Sequence, residues 1–326
     1  MLRADLIERF RRDLDALTGA APDMLAVAVS GGPDSLALLL LAHAAWPGRV
    51  HAATVDHRLR AESAQEARFV AGLCERIGVP HRTLSGAQPI AGASAQAQAR
   101  ALRYRLLTQW ARAAGIGWLA TAHHMDDQAE TVLMRLARGS GLAGLSAVRP
   151  RRLEGSVTIV RPLLGWRRAE LASIVEAAGI AAIDDPSNRS LAYDRTRFRA
   201  LLSENEALDV PRLAAAAAHL GEAEQALAWA AEREWLARSS RANGAVTLDP
   251  LGLPAELVRR LAARAVEEVR GDGDWRRDKL AEALARIAAG GSSTLAGVKM
   301  SGGSSWRFEP APPRRAKSGG GGAGRL

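Results

Sequence analysis

Ser30, Gly31, Gly32, Pro33, Asp34 and Ser35 stand in a row, and their types suit one kind of ligand. A phosphate is held best by several backbone N–H groups aimed at one point, and glycine lets the backbone come that close. The two serines add hydroxyl donors, and a helix starting here would add the positive end of its dipole. The Gly-Lys-Ser/Thr ending of a Walker-A loop is absent from this stretch, so no lysine neutralises the phosphates. Asp34 suits a magnesium ion that bridges phosphate oxygens, directly or through water. A plain strand-to-helix turn, with Asp34 or Ser35 as its N-cap, would use some of the same residues. The complete Ser-Gly-Gly-x-Asp-Ser pattern behind a hydrophobic strand outweighs that simpler account.

Three other groups carry chemistry. His123 and His124 precede Asp126, Asp127 and Glu130, and residues 127 and 130 share one helix face. Alone, such carboxylates would be ordinary charge at a helix N-terminus; the two histidines before them argue for a site. Adjacent histidines point to different sides, which speaks against a shared zinc ion. Arg195, Arg197 and Arg199 form a basic cluster. They suit phosphates or a nucleic-acid backbone, or else a solvated face paired with Glu204 and Glu206. His57 follows the second hydrophobic run and is either a ligand group or a satisfied loop histidine.

Alternating elements must position these groups. Apolar runs at 24–29, 50–55, 81–84, 117–121 and 157–160 read as strands. Helical spacing fills 36–45, 62–77, 94–114, 126–137 and 168–178. The alternation predicts an α/β fold with a doubly wound parallel sheet. Right-handed crossovers then bring Ser30, Asp56 and His123 to one sheet edge, where ligands bind in such folds. Beyond about residue 205 the composition turns Ala-rich and helical, through 208–239, 258–270 and 275–289. We expect a catalytic domain over 1–205, a helical domain over 206–290, and a small hairpin with a disordered basic and Gly-rich tail over 291–326.

The chain has 326 residues and a net charge of +9, which favours a polyanionic partner. A GC-rich genome that prefers Arg to Lys would give the same excess, so charge alone divides the two readings evenly. A single cysteine, Cys74, excludes an intramolecular disulfide, a CxxC pair or a multi-cysteine metal site. The N-terminus is charged throughout and the apolar run 36–41 is short. A soluble cytoplasmic protein with no membrane partner is expected.

The segment 30–35 resembles the PP-loop ATP-pyrophosphatases, which cleave ATP between its α and β phosphates and transfer AMP to an oxygen. Further blocks look like one branch, the tRNA(Ile)-lysidine synthetases. They are Val55-Asp56-His57-Arg58-Leu59-Arg60, Ala99-Arg100-x-x-Arg103-Tyr104, and Thr121-Ala122-His123-His124-x-Asp126-Asp127-Gln128-x-Glu130-Thr131. Arg138-Gly139-Ser140-Gly141-Leu142, Arg161-Pro162-Leu163-Leu164 and Asp185-Pro186-Ser187-Asn188, with Tyr193 and the arginines 195, 197 and 199, complete the set. The match runs from about residue 25 to 202.

The resemblance implies the adenine nucleotide alpha hydrolase type of sheet. It also implies a ligase that uses ATP and Mg2+ to join free L-lysine to C2 of the wobble cytidine of tRNA(Ile) with anticodon CAU. Ser30, Gly31, Gly32, Pro33, Asp34, Ser35, His57 and His123 would bind ATP, with Asp34 on magnesium. Asp34, Arg195 and Arg197 would be catalytic. Arg103 would take the lysine carboxylate, and Asp127 and Glu130 its amines. Arg151, Arg152, Arg167, Arg168 and the helical region would face the tRNA, and a homodimer is compatible with this reading. A PP-loop tRNA thiolase is disfavoured by the lone cysteine, and an amidotransferase-type synthetase by the absence of a glutaminase domain. An ATP-sensing RNA-binding protein without catalysis is the rival from another class.

Overall fold

The structure, a computed structural model, describes residues 2–56, 63–86, 95–183, 194–271, 275 and 277–312. His57, the block 185–188, Tyr193 and the expected Gly-rich tail lie outside the described residues. The chain divides into two compact units, Met1–Glu222 and Ala223–Leu326.

In the first unit the apolar runs become β1 (Leu25–Ala28), β2 (Val50–Asp56), β3 (His81–Ser85), β4 (Trp118–Ala120), β5 (Arg151–Glu154) and β6 (Val157–Val160). They form one sheet in the order β3-β2-β1-β4-β6-β5. All neighbours are parallel except β5, which runs antiparallel to β6 at the edge. Strand alternation splits the core in two. Leu25 and Val27 pack on one face with Phe10, Leu36, Val70 and Leu171. Ala26 faces the other way, with Tyr104, Leu107 and Leu119.

Among the described residues eight helices lie wholly in this unit: α1 (Ala4–Thr18), α2 (Pro33–Ala45), α3 (Ser63–Ile77), α4 (Ala95–Ala113), α5 (Met125–Ala137), α6 (Leu142–Leu145), α7 (Arg168–Ala177) and α8 (Asp194–Glu204). The first core cluster takes residues from α1, α2, α3 and α7 and the second from α4, so the sheet is covered on both faces. α2 is apolar nearly all round, and Leu36, Leu38, Leu39 and Leu41 are fully buried. Each such leucine contributes about 1.5–3 kcal/mol. The helix behind the Ser30–Ser35 loop is therefore one of the most firmly held elements of the fold.

α9 (Val210–Arg238) carries the chain into the second unit. There the sequence predicts helices and a small hairpin, but the structure holds a larger sheet. β7 (Ser239–Ala242), β8 (Ala245–Leu248), β9 (Ser292–Leu295), β10 (Val298–Ser301) and β11 (Trp306–Pro310) pair antiparallel in the order β7-β8-β11-β10-β9. The unexpected β7–β8 hairpin turns on Asn243 and Gly244, both at positive φ (52° and 73°), as a tight primed turn demands. α10 (Ala255–Arg270) and α11 (Leu280–Ala288) share a core with it around Trp235, Leu261, Ile287 and Phe308. Among the described residues no helix is long and apolar enough to cross a membrane.

Candidate active site

β1 and β4 are neighbours, and the chain leaves β1 towards β2 on one side and reaches β4 on the other. This is the switch point where parallel sheets open a crevice. The Ser30–Ser35 loop leaves β1 there, and His123-His124 leave β4 beside it.

The loop is built for an anion. Gly31 sits at φ +87°, a left-handed conformation that side chains resist, and its C=O accepts the Ile183 N–H at 3.0 Å. Gly32 caps α2 without a side-chain bond, and Pro33 opens the helix. The first intrahelical bond runs from Leu36 N–H to Gly32 C=O at 3.0 Å, so the Asp34 and Ser35 N–H groups have no intrahelical acceptor. Ser35 Oγ accepts the Ser30 N–H at 3.0 Å and lies 3.1 Å from Ser30 Oγ, which locks the loop to the helix start.

A ring of carboxylates surrounds His124. It is 1% exposed and N-caps α5, accepting the Asp127 N–H at Nδ1 (3.4 Å) while Asp127 Oδ2 accepts the His124 N–H (3.2 Å). Its Nε2 lies 3.5 Å from Asp34 Oδ2 and 3.6 Å from Asp127 Oδ2. Burial pushes the imidazole pKa down, but Asp34 and Asp127 outweigh it and hold the pKa above its usual value. Asp126 Oδ2 lies 3.7 Å from His124 Nδ1 and also accepts the Arg168 N–H at 2.8 Å, pinning the start of α7. Burial opposes its charge, yet Arg167 and that N–H keep its carboxyl below the ordinary range. His123 behaves oppositely to His124. Burial, with Arg161, Arg100 and Arg195 nearby, drives its pKa down to about 3 against the pull of Asp127, so it stays neutral.

Glu130, expected to receive an amine, is instead enclosed by guanidinium groups. It is 1% exposed and pairs with Arg199 at 2.8 Å, Arg195 at 3.3 Å and Arg168 at 3.6 Å. Three cations surround this carboxylate, with Arg199 donating to Oε1, while the buried Oε2 has no hydrogen-bond partner. Arg195 also stands 3.9 Å from Asp127. Arg197, two residues on, is exposed, so the arginine cluster divides between the site and solvent rather than pairing as a block with Glu204 and Glu206. Arg103 lies exposed on α4, while its neighbour Arg100 exerts the field that reaches His123.

Residues 6–206 match the PP-loop domain family. The chain is 45% identical over 323 residues to a tRNA(Ile)-lysidine synthase of Zymomonas mobilis, covering 96% of this chain and 98% of that protein. It is 48% identical over 313 residues to the tRNA(Ile)-lysidine synthase of Novosphingobium aromaticivorans, with 94% of each covered. The chain belongs to the tRNA(Ile)-lysidine synthase family. Among solved structures, a U34-tRNA thiolase from Methanococcus maripaludis shares the fold, with a TM-score of 0.55 and 18% identity over 67% of this chain and 79% of that one.

In this tRNA(Ile)-lysidine synthase homologue, no group of three or more His, Cys, Asp or Glu side chains forms a metal cage among the described residues. Magnesium in phosphoryl chemistry needs only one or two carboxylates beside phosphate oxygens and water. Asp34 Oδ1 is buried without a hydrogen-bond partner and Asp34 faces the same histidine as Asp127, so the residues fit a nucleotide-bound magnesium. Sequence reasoning did not give His124 its central place. The signal was available, because His124 and Asp127 stand at the N-cap and N3 positions of a capping box.

Proposed function

We propose that this protein makes lysidine on tRNA(Ile) with anticodon CAU. The observation that carries the reading is the convergence, at the switch point, of an open phosphate loop, the Asp34–His124–Asp127 cluster and Arg195. Residues 30–35 hold the ATP phosphates through backbone N–H and serine hydroxyls, with His57 and His123 beside the nucleotide. Magnesium, when bound at Asp34, would neutralise phosphate charge.

The C2 oxygen of the wobble cytidine attacks the α-phosphorus and pyrophosphate leaves. The ε-amine of free lysine, having lost a proton, then forms the C–N bond at C2, and the C–O bond to AMP breaks. A carbonyl oxygen is a poor leaving group and its AMP ester a good one, so the protein's task is orientation and charge neutralisation. We assign Asp127 to the lysine ammonium and an arginine of the α4 block, Arg103, to its carboxylate. Glu130 holds Arg195 and Arg199 in position, Arg195 faces the phosphates as they develop charge, and exposed Arg197 meets the RNA backbone. A cytoplasmic setting, with tRNA and free lysine at hand and a homodimer as the assembly, accords with this reading.

The test is AMP release from ATP with tRNA(Ile) CAU transcript, with and without lysine. AMP that requires the tRNA, and is lost in Asp34→Ala, supports the reading. ATP and tRNA binding with no AMP formed under any condition would favour the non-catalytic RNA-binding alternative.

A further inference from the structure

Arg161 opens the Arg-Pro-Leu-Leu block, and its environment is unusual for a cation. The side chain is 4% exposed, its Nη1 donates to the Arg149 carbonyl at 2.5 Å, and its buried Nε has no hydrogen-bond partner. Tyr104 is its other hydrogen-bonding neighbour. The Tyr104 ring in turn lies beneath Arg152 at 4.7 Å and Arg100 at 5.3 Å. Arg100 and Arg152 both repel Arg161, and Arg100 also reaches His123. Arg152 shares Glu154 at 2.8 Å, but that carboxylate is on the exposed edge strand. A buried guanidinium with a spare donor, among like charges, calls for an oxyanion.

We propose that Arg161, Arg100 and Arg152, gathered around Tyr104, form a phosphodiester site that holds the RNA backbone next to the target cytidine. The proposal rests on the lysidine reading and extends it to a named subsite. A phosphodiester is favoured over the lysine carboxylate because the cations form a track. Arg161 is the buried inner end, while Arg152 on exposed β5 and Arg100 on α4 are the outer members on the same face of the sheet; Arg151, over Trp118 at 5.8 Å, projects from the opposite face. A single carboxylate would not use the outer members; a chain of phosphates would. The Thr121 N–H donates to the Val160 C=O at 3.0 Å, so Arg161 leaves β6 beside the C-terminal end of β4, and a phosphate held there places its nucleotide beside the nucleotide crevice.

The test uses the full-length protein and two variants, Arg161→Lys and Arg152→Ala, the second on an exposed strand that tolerates truncation. The tRNA dissociation constant is measured as a function of salt, alongside KM for lysine and for ATP. A phosphate contact predicts about tenfold weaker tRNA binding in each variant and a salt slope shallower by about 1 in Arg152→Ala, which removes a charge, with both KM values within about twofold of wild type. An anticodon stem-loop carrying an uncharged methylphosphonate beside the wobble cytidine should bind wild type more weakly and Arg161→Lys no more weakly than the unmodified loop does. A raised KM for lysine with unchanged tRNA binding would overturn the proposal in favour of a carboxylate site, and unchanged values throughout would overturn it outright. If wild type itself fails to bind tRNA(Ile), the functional reading falls first.

Discussion

Gly31 and Gly32 are adjacent, yet the structure gives them different duties, and alanine at each position separates these. Gly31 sits at φ +87°, where an L side chain costs about 1–2 kcal/mol. A Cβ there would stand 2.3 Å from Ile183 Cδ1 and 3.3 Å from Val70 Cγ2. Forcing those side chains aside adds about 1–3 kcal/mol, so Gly31→Ala should destabilise the first unit by about 2–5 kcal/mol. Gly32 sits at φ −74°, and its Cβ would meet only Ser30 Oγ at 3.8 Å. Gly32→Ala should cost at most about 1 kcal/mol, the difference between the two as helix N-caps. Its methyl group would crowd the proposed phosphate cradle. Thermal unfolding with and without MgATP reads both effects. Saturating nucleotide stabilises a competent site by about 2.7 kcal/mol at a hundred times Kd. Gly31→Ala should unfold earlier at all nucleotide concentrations, and Gly32→Ala should unfold like wild type but lose the nucleotide-induced shift. A Gly32→Ala protein that keeps the full shift would refute the cradle, and a Gly31→Ala protein as stable as wild type would refute the packing argument.

Other outcomes follow from the same geometry. Glu130→Gln leaves three guanidiniums without their carboxylate. Because those arginines remain 31–41% exposed and can rehydrate, the cost should be about 1–3 kcal/mol, below the range of about 3–5 for a fully buried pair, with activity falling as Arg195 loses its place. His124 has a folded pKa above 6.5, so its contribution to stability is complete below that value and is lost as the pH rises through the folded pKa. Denaturant titrations should therefore show the gap between wild type and His124→Gln shrinking as the pH rises above 6.5; a gap that widens would contradict the carboxylate ring. Trp235 is buried in the second core and Trp229 is 63% exposed beneath Arg233 at 4.9 Å. Trp235→Ala should cost about 3–5 kcal/mol, and Trp229→Ala should weaken tRNA binding while unfolding like wild type.

How much of this was legible in the sequence depended on distance along the chain. The phosphate loop is six contiguous residues behind an apolar strand, so type and spacing sufficed. The shared edge of Ser30 and His123 followed from strand–helix alternation and crossover handedness. The guanidiniums around Glu130 were not legible because they lie on α7 and α8, farther along the chain, and helix periodicity shows which face a carboxylate is on but not what approaches it. α1 hid in a charged stretch, although Phe10 and Leu14 recur at helical spacing and are fully buried. β5 is exposed on both sides and carries no apolar alternation to reveal it. β7 is Ser-Ser-Arg-Ala and equally polar; the Asn-Gly that follows was the readable sign of its hairpin.

The central claim is that ATP cleavage here serves to put lysine on a tRNA cytidine. Wild-type protein is incubated with tRNA(Ile) CAU transcript, MgATP and isotopically labelled lysine, and the RNA is digested to nucleosides and examined by mass spectrometry. The account predicts a labelled nucleoside with the mass of cytidine plus lysine less water at the wobble position, formed together with AMP and absent with Asp34→Ala. Unmodified cytidine at that position despite ATP turnover, or label entering RNA without ATP, would contradict it.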